Sequence, residues 1–170
     1  KDAMDIKSLG EANIRKFYEM GLLTNIPSIY EFDVEKLKNT EGFGAKSISN
    51  LKEAIEKSKS QPLHRLIYAL GIRYVGETTA KTIAQKISNV FELKDKSEEE
   101  LMEMEDVGVK VAKSIFEFFH DKDNIKTLDE LKRLGVQVEG RVQEKISGGL
   151  NGQTFLFTGT LSKMKRSEAE

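Results

Sequence analysis

The sequence predicts an all-α fold, a compact helical domain, and three observations carry that expectation. Apolar residues recur at three- and four-residue spacing nearly everywhere up to Leu134, which is the period of an amphipathic helix. Only two prolines, Pro27 and Pro62, interrupt the 170 residues, and neither falls inside a helical pattern. A glycine-centred unit returns every 32 to 34 residues, and a period of that length marks repeated supersecondary units.

Helices are expected near 11–20, 34–39, 45–59, 62–70, 77–87, 98–104, 109–121 and 124–134. Ile14 and Phe17 share a face of the first. The second rests on periodicity alone. Ile48, Leu51 and Ile55 stripe the third. Pro62 reads as the first residue of the fourth and Gly71 as its stop, the Pro-in, Gly-out asymmetry of helix ends. Ala80 and Ile83 mark the fifth. Ser97 with Glu100 forms a capping box that starts the sixth. Val111, Ile115, Phe118 and Phe119 stripe the seventh, and Phe116, Phe118 and Phe119 read as core rather than as a base-stacking platform. Periodicity alone supports the last. The connections are short, so neighbouring helices must pack side by side.

The pattern changes after Gly135. Residues 136–149, with Gly140, Gly148 and Gly149 among scattered charges, read as a linker. Gln153 to Thr158 is β-branched and aromatic and is followed by Gly159, so it reads as a buried strand ending in a turn. Only eleven residues follow, which leaves that strand without a partner and points to a domain cut short.

Composition narrows the function classes. No apolar run approaches the roughly 20 residues of a membrane span, and the first residues hold no signal-peptide core. There is no initiator methionine, as expected of an excised fragment or a processed chain. Cysteine is absent, which removes disulfides, a thiolate metal site and a cysteine nucleophile. His64 and His120 are the only histidines, too few for a histidine metal cage, and each reads as a structural or surface residue. The 27 basic and 28 acidic residues balance to a net charge of −1, unlike a basic nucleic-acid binder. Backbone amides, however, do not enter a charge count.

The repeat supplies such amides. Gly10, Gly44, Gly76 and Gly108 align, each preceded by an apolar residue: Leu9, Phe43, Val75, Val107. Ile14, Ile48, Ala80 and Ala112 follow at four residues, and Phe17, Leu51, Ile83 and Ile115 at seven. Each unit is an apolar stretch, a turn with a buried tip, a glycine and an amphipathic helix. The glycine permits close approach or positive φ. The first amides of the next helix lack intrahelical acceptors and sit at the positive end of its dipole. That suits an anion, and a phosphodiester is the anion gripped without reading a base. This is the helix-hairpin-helix pattern, with hairpins near 6–17, 40–51, 71–83 and 104–115. A lone glycine between helices is as often only a C-cap, and the four copies together carry the phosphate reading.

The candidate phosphate-binding residues are Gly42, Gly44, Lys46 and Ser47 in the second unit. In the third they are Gly71, Arg73, Gly76, Thr78, Thr79 and Lys81. Gly10, Gly108 and Lys110 come from the outer two. Those outer units carry Ser8 and Asp106 where a first glycine would sit, so either could be purely structural. Tyr74, at a hairpin tip, could touch a sugar. Between Gly44 and Lys86 eight cations face three anions, whereas Glu92 to Asp106 holds eight acids and two lysines. The acidic run is expected to face away from nucleic acid, which would give a neutral chain one positive side.

Asp2–Ile6, Leu66–Glu77 (LIYALGIRYVGE) and Gly152–Leu161 (GQTFLFTGTL) resemble the C-terminal part of bacterial NAD-dependent DNA ligases. The resemblance covers nearly the whole chain, and its second segment is the most specific. It implies four helix-hairpin-helix motifs over 1–135, the linker over 136–149, and the truncated start of an α/β BRCT domain over 150–170. A four-cysteine zinc finger would lie upstream. It implies a parent enzyme that uses NAD, Mg2+ and a structural Zn2+ to seal nicks in replication and repair. The parent's nucleotidyl lysine lies in a Lys-x-Asp-Gly motif, and this chain has no Asp-Gly pair, so the segment alone is expected to be inactive. The implied partners are nicked duplex DNA and the parent's other domains, with a monomeric state and a bacterial cytosolic, nucleoid-associated location. Two other readings stand beside it: a hairpin module of another DNA repair protein, and a helical protein-interaction scaffold.

Overall fold

A computed structural model describes residues 3–140. The expected strand, the truncated terminal domain and residues 141–149 lie outside the described residues. Eight α-helices are present among those described: α1 (Glu11–Glu19), α2 (Ser28–Glu31), α3 (Ala45–Ser58), α4 (Leu63–Ala69), α5 (Glu77–Lys86), α6 (Glu98–Met102), α7 (Val109–His120) and α8 (Lys122–Arg133). Two 3-10 segments, Val34–Leu37 and Val90–Asp95, complete the set.

The fold is mostly helical, as the periodicity predicts, and the differences have local causes. The segment expected as a helix at 34–39 is a single 3-10 turn that starts where the Asp33 carboxylate accepts from the Glu35 amide. Helix α8 begins at Lys122 rather than 124, because Asp121 takes the amides of Asp123 and Asn124 at 2.9 and 3.0 Å. Pro62 is the residue before α4, with ψ of 151°, not its first turn. Helix α2 and the 3-10 turn at 90–95 were not expected. The latter begins on a reciprocal cap between Asn89 and Glu92.

Apolar side chains collect into two cores. Ile6, Leu9, Phe17, Leu37, Phe43, Leu51 and Ile55 form the first, around α1 and α3. Leu63, Ile67, Ile83, Leu93, Ile115, Phe119 and Leu128 belong to the second, around α4, α5, α7 and α8. Phe119 is fully buried, with Phe116 and Phe118 packed against the same core. Met4 and Tyr30 touch both cores. Arg65 also donates to the Ala3 carbonyl across the join, at 3.1 Å.

The expectation that a linker starts at 136 is corrected. Val136 and Val138 are buried in the second core. The Gln137 amide donates to the Lys59 carbonyl at 2.8 Å, Val90 donates to Val138 at 2.9 Å, and Gly140 donates to Ser88 at 2.8 Å. Val-Gln-Val is a period-two pattern, so this short extended segment turns two valines inward and laces the end of α3 to the second core. A Cβ at Gly140 would stand 2.9 Å from Leu63 Cδ2 and 3.3 Å from the Ile87 carbonyl, so a side chain there would make the buried Leu63 shift.

Candidate nucleic-acid interface

The four repeated turns share one backbone form. At Gly10, Gly44, Gly76 and Gly108, φ lies between −84° and −86° and ψ between 173° and 179°. Two residues earlier, Ser8, Gly42, Tyr74 and Asp106 all have positive φ, at 66°, 88°, 66° and 62°. Between them the apolar tips Leu9, Phe43, Val75 and Val107 are buried. Each tip amide bonds to the carbonyl three residues back, at 3.0–3.2 Å. The left-handed position is therefore not the aligned glycine, as the sequence allowed, but the residue two before it.

Gly71 is the helix stop that the Pro62–Gly71 pattern predicts. Its φ of 67° and its bond to the Tyr68 carbonyl make it the C-terminal stop of α4, so the third hairpin has Tyr74, not a second glycine, in its left-handed position. The copies are also unequal in what surrounds the turn. The second, third and fourth share the same sequence of exposed and buried positions over the eight residues that start at the left-handed one. The first departs, with Gly10 half-buried and Ile14 40% exposed. Residues 3–9 ahead of it hold turns and no helix, so the apolar helix-like stretch expected before each turn is missing there.

Nothing among the described residues demands glycine at the four aligned positions. A methyl group at Gly10, Gly44, Gly76 or Gly108 would meet no heavy atom within 4 Å, and φ near −85° suits any residue. Glycine's lack of a side chain also leaves the helix starts uncapped: no side chain accepts from the first-turn amides of α1, α3, α5 or α7. Lys46 and Ser47 occupy the second and third positions of α3, Thr78 and Thr79 those of α5, and Lys110 the second of α7. Lys46, Thr78 and Lys110 are exposed. These uncapped amides lie at the positive ends of the helix dipoles, where an anion is favoured.

The units associate in twos. Lys16, six residues after Gly10, donates to the Glu41 carbonyl of the second turn at 2.8 Å, and Phe17 and Phe43 pack with ring centroids 5.3 Å apart. Thr82, six residues after Gly76, lies 3.4 Å from a carboxylate oxygen of Asp106 in the fourth turn. The same helix position thus reaches the partner turn in both pairs.

Charge is distributed less simply than the sequence suggested. Lys81 pairs with Glu77 at 2.8 Å, and that hydrogen bond holds the Glu77 carboxyl below its usual range. Burial, with Lys81 and Arg65 nearby, lowers His64, and Glu77 opposes the shift. Arg73 lies over the Tyr74 ring at 4.9 Å. In the acidic run, Glu98, Glu99 and Glu100 crowd the first turn of α6, where the dipole favours them. Asp106 instead sits in a repeat turn, so the acids do not all avoid the candidate surface. His120 stacks on Phe116 and its Nδ1 lies 2.9 Å from the Phe116 carbonyl.

Comparison with known proteins agrees with the geometry. A family described as "Helix-hairpin-helix motif" matches residues 65–128, which include the third and fourth turns. The chain is 55% identical, over its whole length, to a protein named DNA ligase from Persephonella marina. It is 52% identical over its whole length to one from Sulfurihydrogenibium azorense, and 46% identical over 99% of its length to one from Aquifex aeolicus. The chain spans 24% of the length of each of these relatives.

Proposed function

This chain is homologous, end to end, to one stretch of the DNA ligases, and on that premise we propose that it is a DNA-gripping part of such an enzyme. It holds duplex DNA around a nick through backbone amides on phosphates and without sequence preference. The carrying observation is the set of uncapped helix starts at Gly44, Gly76 and Gly108, where nothing among the described residues requires glycine. A phosphodiester that approaches the backbone supplies that requirement. Lys46 and Lys110 add point charges, and Ser47, Thr78 and Thr79 add hydroxyl donors. Four tandem hairpins, arranged in the two pairs, follow the duplex backbone.

Nick sealing, with its NAD and Mg2+, belongs to other parts of the parent protein. The chain has no Asp-Gly pair with which to form the nucleotidyl-lysine motif that the resemblance implies. No helix among the described residues is long and apolar enough to cross a membrane, and a monomer working on cytoplasmic DNA fits this role.

Titration of a random-sequence nicked duplex at several salt concentrations tests the reading. Each ion-paired phosphate contributes a slope of about −0.9, and a total slope of about −2 to −4 is expected from so few cations. No binding at low salt defeats the DNA reading.

A further inference from the structure

Tyr74 occupies a costly position. Its φ of 66° is left-handed, a conformation that costs an ordinary residue about 1–2 kcal/mol and is rarest for bulky side chains. The equivalent turns use Ser8, Gly42 and Asp106, all small, and Gly42 shows that the same turn forms with no side chain at all. Tyr74 recovers little inside the fold, since it is 53% exposed and its ring contact is with Arg73, also exposed, 4.9 Å away. Tyr68, Tyr18 and Tyr30 have ordinary backbone geometry, so this is the one described aromatic held in a disfavoured conformation at the surface. Such outliers persist where an external contact uses them.

The position limits what that contact can be. Tyr74 stands two residues before Gly76, beside the uncapped start of α5. A phosphate at those amides carries a deoxyribose on either side. Resting on the DNA-binding reading above, we propose that Tyr74 is a groove-contacting residue whose ring packs on the deoxyribose next to the phosphate held by α5, with Arg73, stacked on that ring, meeting an adjoining phosphate. The aromatic face gives an apolar surface for the sugar, and the guanidinium above it is oriented in advance. The second and fourth turns, with Gly42 and Asp106 at the equivalent position, have no such ring. The third hairpin is thereby the one that reaches into the groove, while the others hold only backbone.

Tyr74→Gly tests this in the whole chain, because glycine removes the ring and favours the turn at once. Random-sequence nicked duplex DNA is the probe, with Gly76→Asp and Arg73→Ala alongside. We expect Tyr74→Gly to melt no lower than wild type and to bind about threefold to tenfold more weakly, as an exposed aromatic contact warrants. Its salt slope should match wild type, since no charge is lost, while Arg73→Ala should reduce the slope by about 1. Wild-type affinity in a stable Tyr74→Gly protein, with Gly76→Asp still weakened, overturns the groove contact and leaves the phosphate reading standing. Full affinity in both variants, or no binding by the wild type, overturns both.

Discussion

Helices α6 and α8 begin on Ser97 and Asp121, whose oxygens take the first free amides at 2.9–3.2 Å. Helices α3 and α5 begin on Gly44 and Gly76, which take none. Both kinds of start face the same demand, four amides without an intrahelical acceptor. In the first kind the protein meets it with its own side chain, and a cap of that sort is worth about 1 kcal/mol. In the second that stabilisation is forgone, and the amides remain exposed beside lysine, serine and threonine. Three of the eight α-helices start at such a glycine with the fully repeated surround, and α1 starts at one without it. On the proposed function, the difference separates folding from binding in this chain: stability resides in the side-chain caps and the two cores, and the proposed recognition in the glycine starts left open.

Closing an open start gives the largest expected effect. Gly44→Asp with Gly76→Asp supplies caps and two anions at once. DNA binding should fall by well over tenfold, because each lost charge-assisted hydrogen bond is worth about 1.5–3 kcal/mol, while the melting temperature holds or rises. The milder Gly76→Ser separates capping from charge and should weaken binding less, as read by the same titration. Opening a closed start is the converse. Asp121→Ala should lower stability by about 1 kcal/mol, seen in urea unfolding, with DNA affinity unchanged. A smaller gain is expected from Asp106→Asn, because asparagine keeps the left-handed turn while the acid beside the fourth start disappears. Binding should strengthen by about twofold, the range of a weak surface charge effect. The smallest effect concerns His64. Its folded-state pKa lies below the ordinary 6.5, so the folded state resists protonation. Stability should decline slightly as pH falls through about 6.5 and level off below the folded pKa. His64→Asn should flatten that decline in melting curves, and bound DNA phosphate should lessen it.

Much of this division was legible in the residues themselves. The register of Gly10, Gly44, Gly76 and Gly108 and the buried tips follow from apolar spacing, and helix limits follow from it to within two residues at most ends. The positive φ at Ser8, Tyr74 and Asp106 was not legible as such, because only Gly42 carries the residue type that announces it. Gly71 was legible as the stop of α4, but it also read as the first glycine of the third hairpin, a place that Tyr74 takes. The Asn89–Glu92 cap and the Val136–Val138 alternation were written in the sequence in plain form. They were masked by neighbouring glycines and charges that read as loop. The pairing of turns through Lys16 and Thr82 depends on contacts 25 and 24 residues apart, which local pattern cannot supply.

Backbone amide shifts followed by NMR during titration with a nicked duplex compare the two kinds of helix start in one experiment. The amides of residues 45–47 and 77–79 should move most and become protected from exchange, while those of 98–100 and 122–124 stay still. Large shifts at the capped starts, with 45–47 and 77–79 unmoved in a DNA-bound protein, would contradict the assignment of recognition to the open starts.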